Sequence, residues 1–138
     1  MSQHLQDQFD IQQLLYRYAD AADRRDAQAY EACFLEGQVM IHGPGYDMRD
    51  AHEIMRILTE RFDWTMHNVH NHLHQVEGDS AVGFTYCVAS HLSNQDGRRT
   101  RLDMYIRYQD ELRRSAKGWT FVSRQVHVGC EEEVLLAN

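Results

Sequence analysis

Between residues 9 and about 25 the apolar side chains Ile11, Leu14, Leu15, Tyr18 and Ala22 recur at intervals of three and four, which predicts an amphipathic helix with one buried stripe. Asp23 falls on the shoulder of that stripe, at the edge of the buried face near the helix end. A second helix is predicted over about residues 26–35, with Asp26 as N-cap, Tyr30, Cys33 and Phe34 on its apolar side and Gly37 as its stop. Residues 38–42 then read as a short strand, Gly43-Pro44-Gly45 as a turn, and Tyr46 as a loop residue. Asp50 and Glu53 have the spacing of a capping box, and Ile54, Met55, Leu58 and Phe62 carry a third helix that ends near Phe62.

Past this point the period changes from that of a helix to that of a strand. Residues 67–76, 81–92, 101–112 and 118–130 read as four long strands, separated by Gly78-Asp79, by Asn94-Gln95-Asp96-Gly97 and by a charged segment ending in Lys117-Gly118. They have the order of consecutive antiparallel hairpins. The apolar tail Val134-Leu135-Leu136, after Glu131-Glu132-Glu133, is read as a cover for a cavity mouth or a partner subunit. Helices first and long strands after predict an α+β fold, with helices on one face of a strongly curved, mostly antiparallel sheet. With one proline and no repeat, low-complexity stretch or linker, residues 1–138 are read as a single domain.

Composition narrows the function classes. The 138 residues suffice for one real core and not for two. No apolar run approaches the roughly 20 residues that cross a bilayer as a helix, so no membrane partner is expected. The N-terminal residues have neither a basic start nor an apolar core, which predicts a cytoplasmic protein. A net charge of −7 opposes binding to nucleic-acid phosphates, and Arg98-Arg99-Thr100-Arg101 is read as a solvated hairpin end. Cys33, Cys87 and Cys130 are odd in number and widely spaced, which predicts free, mostly buried thiols.

Four of the nine histidines lie between Thr65 and Ala81. Strand alternation sends His67, Val69, Asn71 and Leu73 to one face and His70, His72 and His74 to the other. His67 then stands as a single base on an apolar side, while the other three form a row. Three imidazoles are adequate zinc ligands, but positions i, i+2 and i+4 of a flat strand spread over roughly 13 Å, whereas zinc–nitrogen bonds are about 2.0–2.1 Å. No metal is expected, and the row is read as lying on the outer face, in water or at a subunit contact whose stability would vary with pH.

The chain resembles the NTF2-like superfamily, specifically its SnoaL-like branch with scytalone dehydratase, bile-acid dehydratases and hexachlorocyclohexane dehydrochlorinase. The residues that carry the resemblance are Ile11-x-x-Leu14-x-x-Arg17-Tyr18-Ala19-x-x-x-Asp23-x-x-Asp26, Tyr30-x-x-x-Phe34, Met66-His67-x-x-x-Asn71 leading into Val76-Glu77-Gly78-Asp79-Ser80-Ala81, and Tyr108-x-Asp110-x-Leu112 followed by Gly118-Trp119-x-Phe121 and Arg124. It implies a cone-shaped apolar pocket in which Asp23 and His67 form a catalytic dyad, with His91 at the position of a second histidine. The tyrosine that precedes the dyad aspartate in scytalone dehydratase is Ala22 here, and the residues nearest its other substrate-contacting tyrosine are His42 and Tyr46. Tyr46 and Asn71 are the candidate substrate contacts. Arg124 is read either as a pocket residue or as the partner of a surface carboxylate.

In such a pocket a carboxylate bonded to one imidazole nitrogen makes the other a better base. The implied activity is that of a small lyase, dehydratase-like, or an isomerase, acting without a cofactor on an apolar, cyclic small molecule. The resemblance also implies a homo-oligomer, dimer or trimer. The alternative is a non-catalytic ligand-binding or structural subunit similar to the β subunit of ring-hydroxylating dioxygenases.

Overall fold

The computed structural model describes residues 2–137. Helix α1, Gln3–Asp23, starts six residues before the predicted boundary because the Ser2 hydroxyl accepts from the Leu5 N–H and caps it. Its extra turns place Asp7 in the interior, where the carboxylate accepts from Arg114, Gln3 and the Trp119 indole N–H. These bonds tie the start of the helix to the last hairpin. Ile11, Leu14, Leu15, Tyr18 and Ala22 are buried, so the stripe packs as the spacing predicts.

Asp26 caps α2, Ala27–Glu31, and a 3₁₀ turn follows over Leu35–Gly37. The Gly43-Pro44-Gly45 turn joins two three-residue strands, β1 (Ile41–Gly43) and β2 (Tyr46–Met48), so Tyr46 begins a strand and is not a loop residue. Its ring occupies the space a side chain at Gly43 would need, so a larger residue there would have to displace that half-exposed ring. Asp50 caps α3, Ala51–Arg61, by accepting from the N–H groups of His52 and Glu53.

Strands β3 (Trp64–Glu77), β4 (Ser80–Gln95), β5 (Arg98–Ser115) and β6 (Gly118–Leu135) form the predicted hairpins, each longer than its hydrophobic run. The sheet order is β2-β1-β6-β5-β4-β3, antiparallel except where β1 runs parallel to β6. Val134 and Leu135 pair with Arg101 and Thr100, so the apolar tail completes a strand and is not among the lining residues of either described cavity.

Three irregularities in register curve this sheet around the helices. One residue is extra on β3 between Val69 and His72, and β6 carries two more near Val122 and Gly129. A bulge bends its strand and increases local twist. It also reverses the alternation beyond it. Thr65, His67 and Val69 face the helices before the β3 bulge; His72, His74 and Val76 face them after it. The predicted outer row of three histidines is therefore dissolved: His70 is exposed, His72 half-buried and His74 buried.

The core is aromatic at its centre, with the Tyr18 ring packed among Tyr30, Phe34, Tyr108 and Phe121 at centroid distances of 4.7–6.2 Å. Cys33 and Cys87 are buried free thiols and Cys130 is exposed. No helix among the described residues is long and apolar enough to cross a membrane.

Candidate functional site

The C-terminal end of α1 meets the first inward residues of β3, and this junction brings Asp23 and His67 together. Asp23 Oδ1 lies 2.7 Å from His67 Nδ1, and Oδ2 accepts the His67 backbone N–H at 2.9 Å. Thr65, two residues earlier on the same face, donates its hydroxyl to Oδ1 at 3.0 Å. Burial pushes the Asp23 carboxyl up, but the bonds and charge from His67 and the Thr65 hydroxyl bring it to a net value below the ordinary carboxylate range. An ionised Asp23 requires a proton on His67 Nδ1, so in the neutral imidazole the lone pair is on Nε2.

His67 lines a cavity of about 490 Å³ between the helices and the concave face of the sheet. Its walls are mostly apolar, with Ile54, Leu58 and Phe62 from α3 opposite Met104, Ile106 and Val126 from the sheet. Tyr46 lines the same cavity from β2 and is half exposed. Arg61 and Glu131 contribute the charged side chains of the lining.

His91 is also in this cavity, with its ring centroid 6.1 Å from that of His67 and 4.5 Å from that of Phe62. Its Nδ1 lies 3.1 Å from the carbonyl oxygen of Leu102, a contact that only an N–H donor satisfies. Burial first, together with the neighbouring His67, keeps its pKa below the usual imidazole value. Neutral His91 therefore offers an accepting Nε2, and only its protonated form can donate to a carbonyl or leaving hydroxyl.

Asn71 does not join the site. The bulge turns it to the opposite face of the sheet, where it is exposed beside His70, Tyr86 and His127 in a shallow groove. The contact that strand alternation predicts between Asn71 and a ligand of His67 is lost for this reason. Arg124 fits neither reading, since it lines no described cavity and its carboxylate partner, Asp110, is buried and not on the surface. Its guanidinium is buried, donates to Asp110 at 2.7 Å and lies 3.7–4.5 Å from the ring centroids of Tyr108, Phe121 and Tyr18.

One group absent from the sequence reading belongs to the cavity. Tyr18, Tyr30 and Tyr108 all line it, and Tyr30 donates to the Tyr18 hydroxyl at 2.7 Å. Burial pushes all three phenols upward, so they stand as protonated donors. Tyr18 reads in the sequence as one more member of an apolar stripe. The available signal was its hydroxyl, which needs a partner when the ring is buried.

Among the described residues there is no cluster of three or more histidine, cysteine or carboxylate groups placed to hold a metal ion. His72 and His74 are 3.0 Å apart through their Nδ1 atoms, but the other nitrogen of His74 is bonded to Asp110.

Residues 3–125 match the SnoaL-like domain family. No match to the chain was found among curated proteins. Among solved structures, a candidate scytalone dehydratase of Novosphingobium aromaticivorans superposes with a TM-score of 0.79 at 16% identity, covering 97% of this chain and 91% of the other. A hexachlorocyclohexane dehydrochlorinase of Novosphingobium barchaimii gives 0.80 at 14% identity, covering 95% and 92%. A candidate aromatic ring hydroxylase of Novosphingobium aromaticivorans gives 0.78 at 23% identity, covering 96% and 94%. At these identities the likeness is one of fold.

Proposed function

The chain belongs to the SnoaL-like domain family, and from that premise we propose that it is a small lyase that dehydrates an apolar, cyclic hydroxy-carbonyl compound. One observation supports the reading: His67 is bonded through Nδ1 to a half-buried carboxylate and lines a mostly apolar cavity. In the proposed reaction Nε2 of His67 removes a proton from the carbon next to the substrate carbonyl. Asp23 stabilises the imidazolium that forms, at no point taking its proton. The electron pair of the broken C–H bond forms the new C=C bond as the C–O bond of the β-hydroxyl breaks. The imidazolium returns the proton to the departing hydroxide, so that an enone and water leave and His67 is regenerated.

General-base catalysis contributes about 10²–10⁴-fold, and the remainder is assigned to orientation by the cavity. Tyr18, with Tyr30 behind it, is suited to donate to the carbonyl oxygen where negative charge develops. His91 would accept from the substrate hydroxyl, and Tyr46 would close over the ring. Double-bond isomerisation uses the same base and the same donor, with the proton returned to carbon. The native assembly in this proposal is a homo-oligomer.

Two measurements test the proposal. Nitrogen-15 NMR of the His67 ring, assigned through His67→Gln, is expected to show the Nδ1–H tautomer in the parent and loss of that preference in Asp23→Asn. Turnover of cyclic β-hydroxy ketones to enones, followed by absorbance, is expected in the parent and not in His67→Gln. Identical ring spectra in parent and Asp23→Asn would remove the coupling on which the mechanism depends.

A second reading, a non-catalytic subunit like that of ring-hydroxylating dioxygenases, draws on the exposed apolar side chains of the outer sheet face, including Leu73, Val82, Tyr86 and Tyr105. Co-purification with a larger iron-containing chain would favour it.

A further inference from the structure

Immediately after α1 the backbone of Arg25 takes a left-handed conformation, φ +58°, which L side chains adopt rarely. The turn sends its side chain back across the end of the helix, where Nη1 donates to the Ala22 carbonyl at 2.8 Å and to the Thr65 hydroxyl at 2.7 Å. Thr65 is 1% exposed. A guanidinium has donors and no acceptor, so the Thr65 hydroxyl cannot donate back to it. Its single proton is left for Asp23, whose Oδ1 is 3.0 Å away.

The consequence reaches the carboxylate. Asp23 receives three donors from β3: the Thr65 hydroxyl and His67 Nδ1 at Oδ1, and the His67 backbone N–H at Oδ2. Rotation of the carboxylate about its Cβ–Cγ bond would break all three. We infer that Arg25 and Thr65 are positioning residues: Arg25 sets the direction of the Thr65 hydroxyl, and Thr65 holds the Asp23 carboxylate in the plane that keeps the proton on Nδ1 of His67. This inference rests on the proposed role of the Asp23–His67 pair, and it adds a part of the machinery that lines no cavity and touches no substrate.

The geometry makes the chain of effect testable without a substrate. Nitrogen-15 NMR of the histidine ring reads the tautomer of His67 and the solvent exchange of its Nδ1 proton. In the parent at neutral pH the Nδ1–H tautomer is expected to dominate. Thr65→Val, close to isosteric, is expected to speed exchange of that proton about tenfold and to populate the Nε2–H tautomer. Thr65→Ser restores the parent spectrum. Arg25→Gly suits the left-handed backbone and removes only the side chain; it is expected to act in the same direction as Thr65→Val, and Arg25→Lys to reverse it.

A parent-like His67 spectrum in both Thr65→Val and Arg25→Gly overturns the inference while leaving the pair itself standing, provided Asp23→Asn still changes the spectrum. A spectrum that Asp23→Asn leaves unchanged overturns the pair and the inference with it.

Discussion

Strand β3 carries two aspartate–histidine contacts on the same side of the sheet, seven residues apart, and their surroundings differ. His67 bonds to Asp23 through Nδ1 at 2.7 Å and keeps Nε2 on a cavity. His74 bonds to Asp110 through Nε2 at 3.0 Å and meets His72 through Nδ1, so both ring nitrogens are in use. Asp110 also accepts from Thr85 and Arg124, and the side chains of His74 and Asp110 are fully enclosed. In the second pair the guanidinium, not the imidazole, is the main counter-charge. An Asp–His contact therefore has no catalytic meaning by itself. The free nitrogen and the space in front of it distinguish the first pair, and the absence of both makes the second a support for the floor of the cavity.

The sharpest test of that contrast exchanges each aspartate for asparagine. Asp23→Asn is expected to lower kcat/KM by about 10²–10⁴-fold while shifting the free energy of denaturant unfolding by only about 1 kcal/mol. Asp110→Asn should do the reverse in kind. It leaves Arg124 buried beside a neutral amide, so a stability loss of about 3–5 kcal/mol is expected, measured by urea denaturation. Equal stability losses in the two variants would erase the distinction drawn between the pairs.

Gly83 offers a subtler way to disturb the second pair alone. A Cβ there would lie 2.0 Å from the Leu73 carbonyl oxygen and 2.7 Å from the Cα of His74. Gly83→Ala must push β3 away from β4 beside His74, and an overpacking cost of about 1–3 kcal/mol is expected. The nitrogen-15 spectrum of the His67 ring should be unaltered if the bulge insulates the two halves of the strand.

The acid limit of stability is set partly by neither pair. The Arg114 guanidinium bonded to Asp7 holds that carboxyl at about 2, against an ordinary value of 3.8. A lowered folded-state value stabilises the protein above the unfolded value, and the contribution disappears as pH falls through the folded one. Stability should thus decline between about pH 3.8 and pH 2, and Asp7→Asn should flatten that part of the curve. The smallest effect is expected for His70→Ala, within about 0.5 kcal/mol, because His70 lies exposed within the bulge, on the sheet face opposite both pairs. A larger loss would show that the outer groove is covered in the native assembly.

Much of this was legible in the chain because the relevant forces are local. The stripe of α1, the caps at Asp26 and Asp50, and the turns at Gly78-Asp79 and Asp96-Gly97 follow from backbone geometry and side-chain spacing, and they stand at those positions in the structure. The candidates Asp23 and His67 were legible as chemistry and through their resemblance to a family pattern. Their 2.7 Å contact joins residues 44 apart and depends on how α1 crosses the end of β3.

Strand alternation was the rule that misled, since it holds only while pairing is regular. The extra residue between Val69 and His72 is accommodated against the two-residue step from Cys87 to Thr85 on β4. No local preference of His70 or Asn71 encodes it. That non-local register moved Asn71 out of the site, drew His72 and His74 inward, and enclosed Asp110 with Arg124. The sequence by itself determined which elements form and which side chains have the chemistry to act. The tertiary structure alone decided which of them share a cavity, because strand register and helix crossing are set by contacts between distant segments.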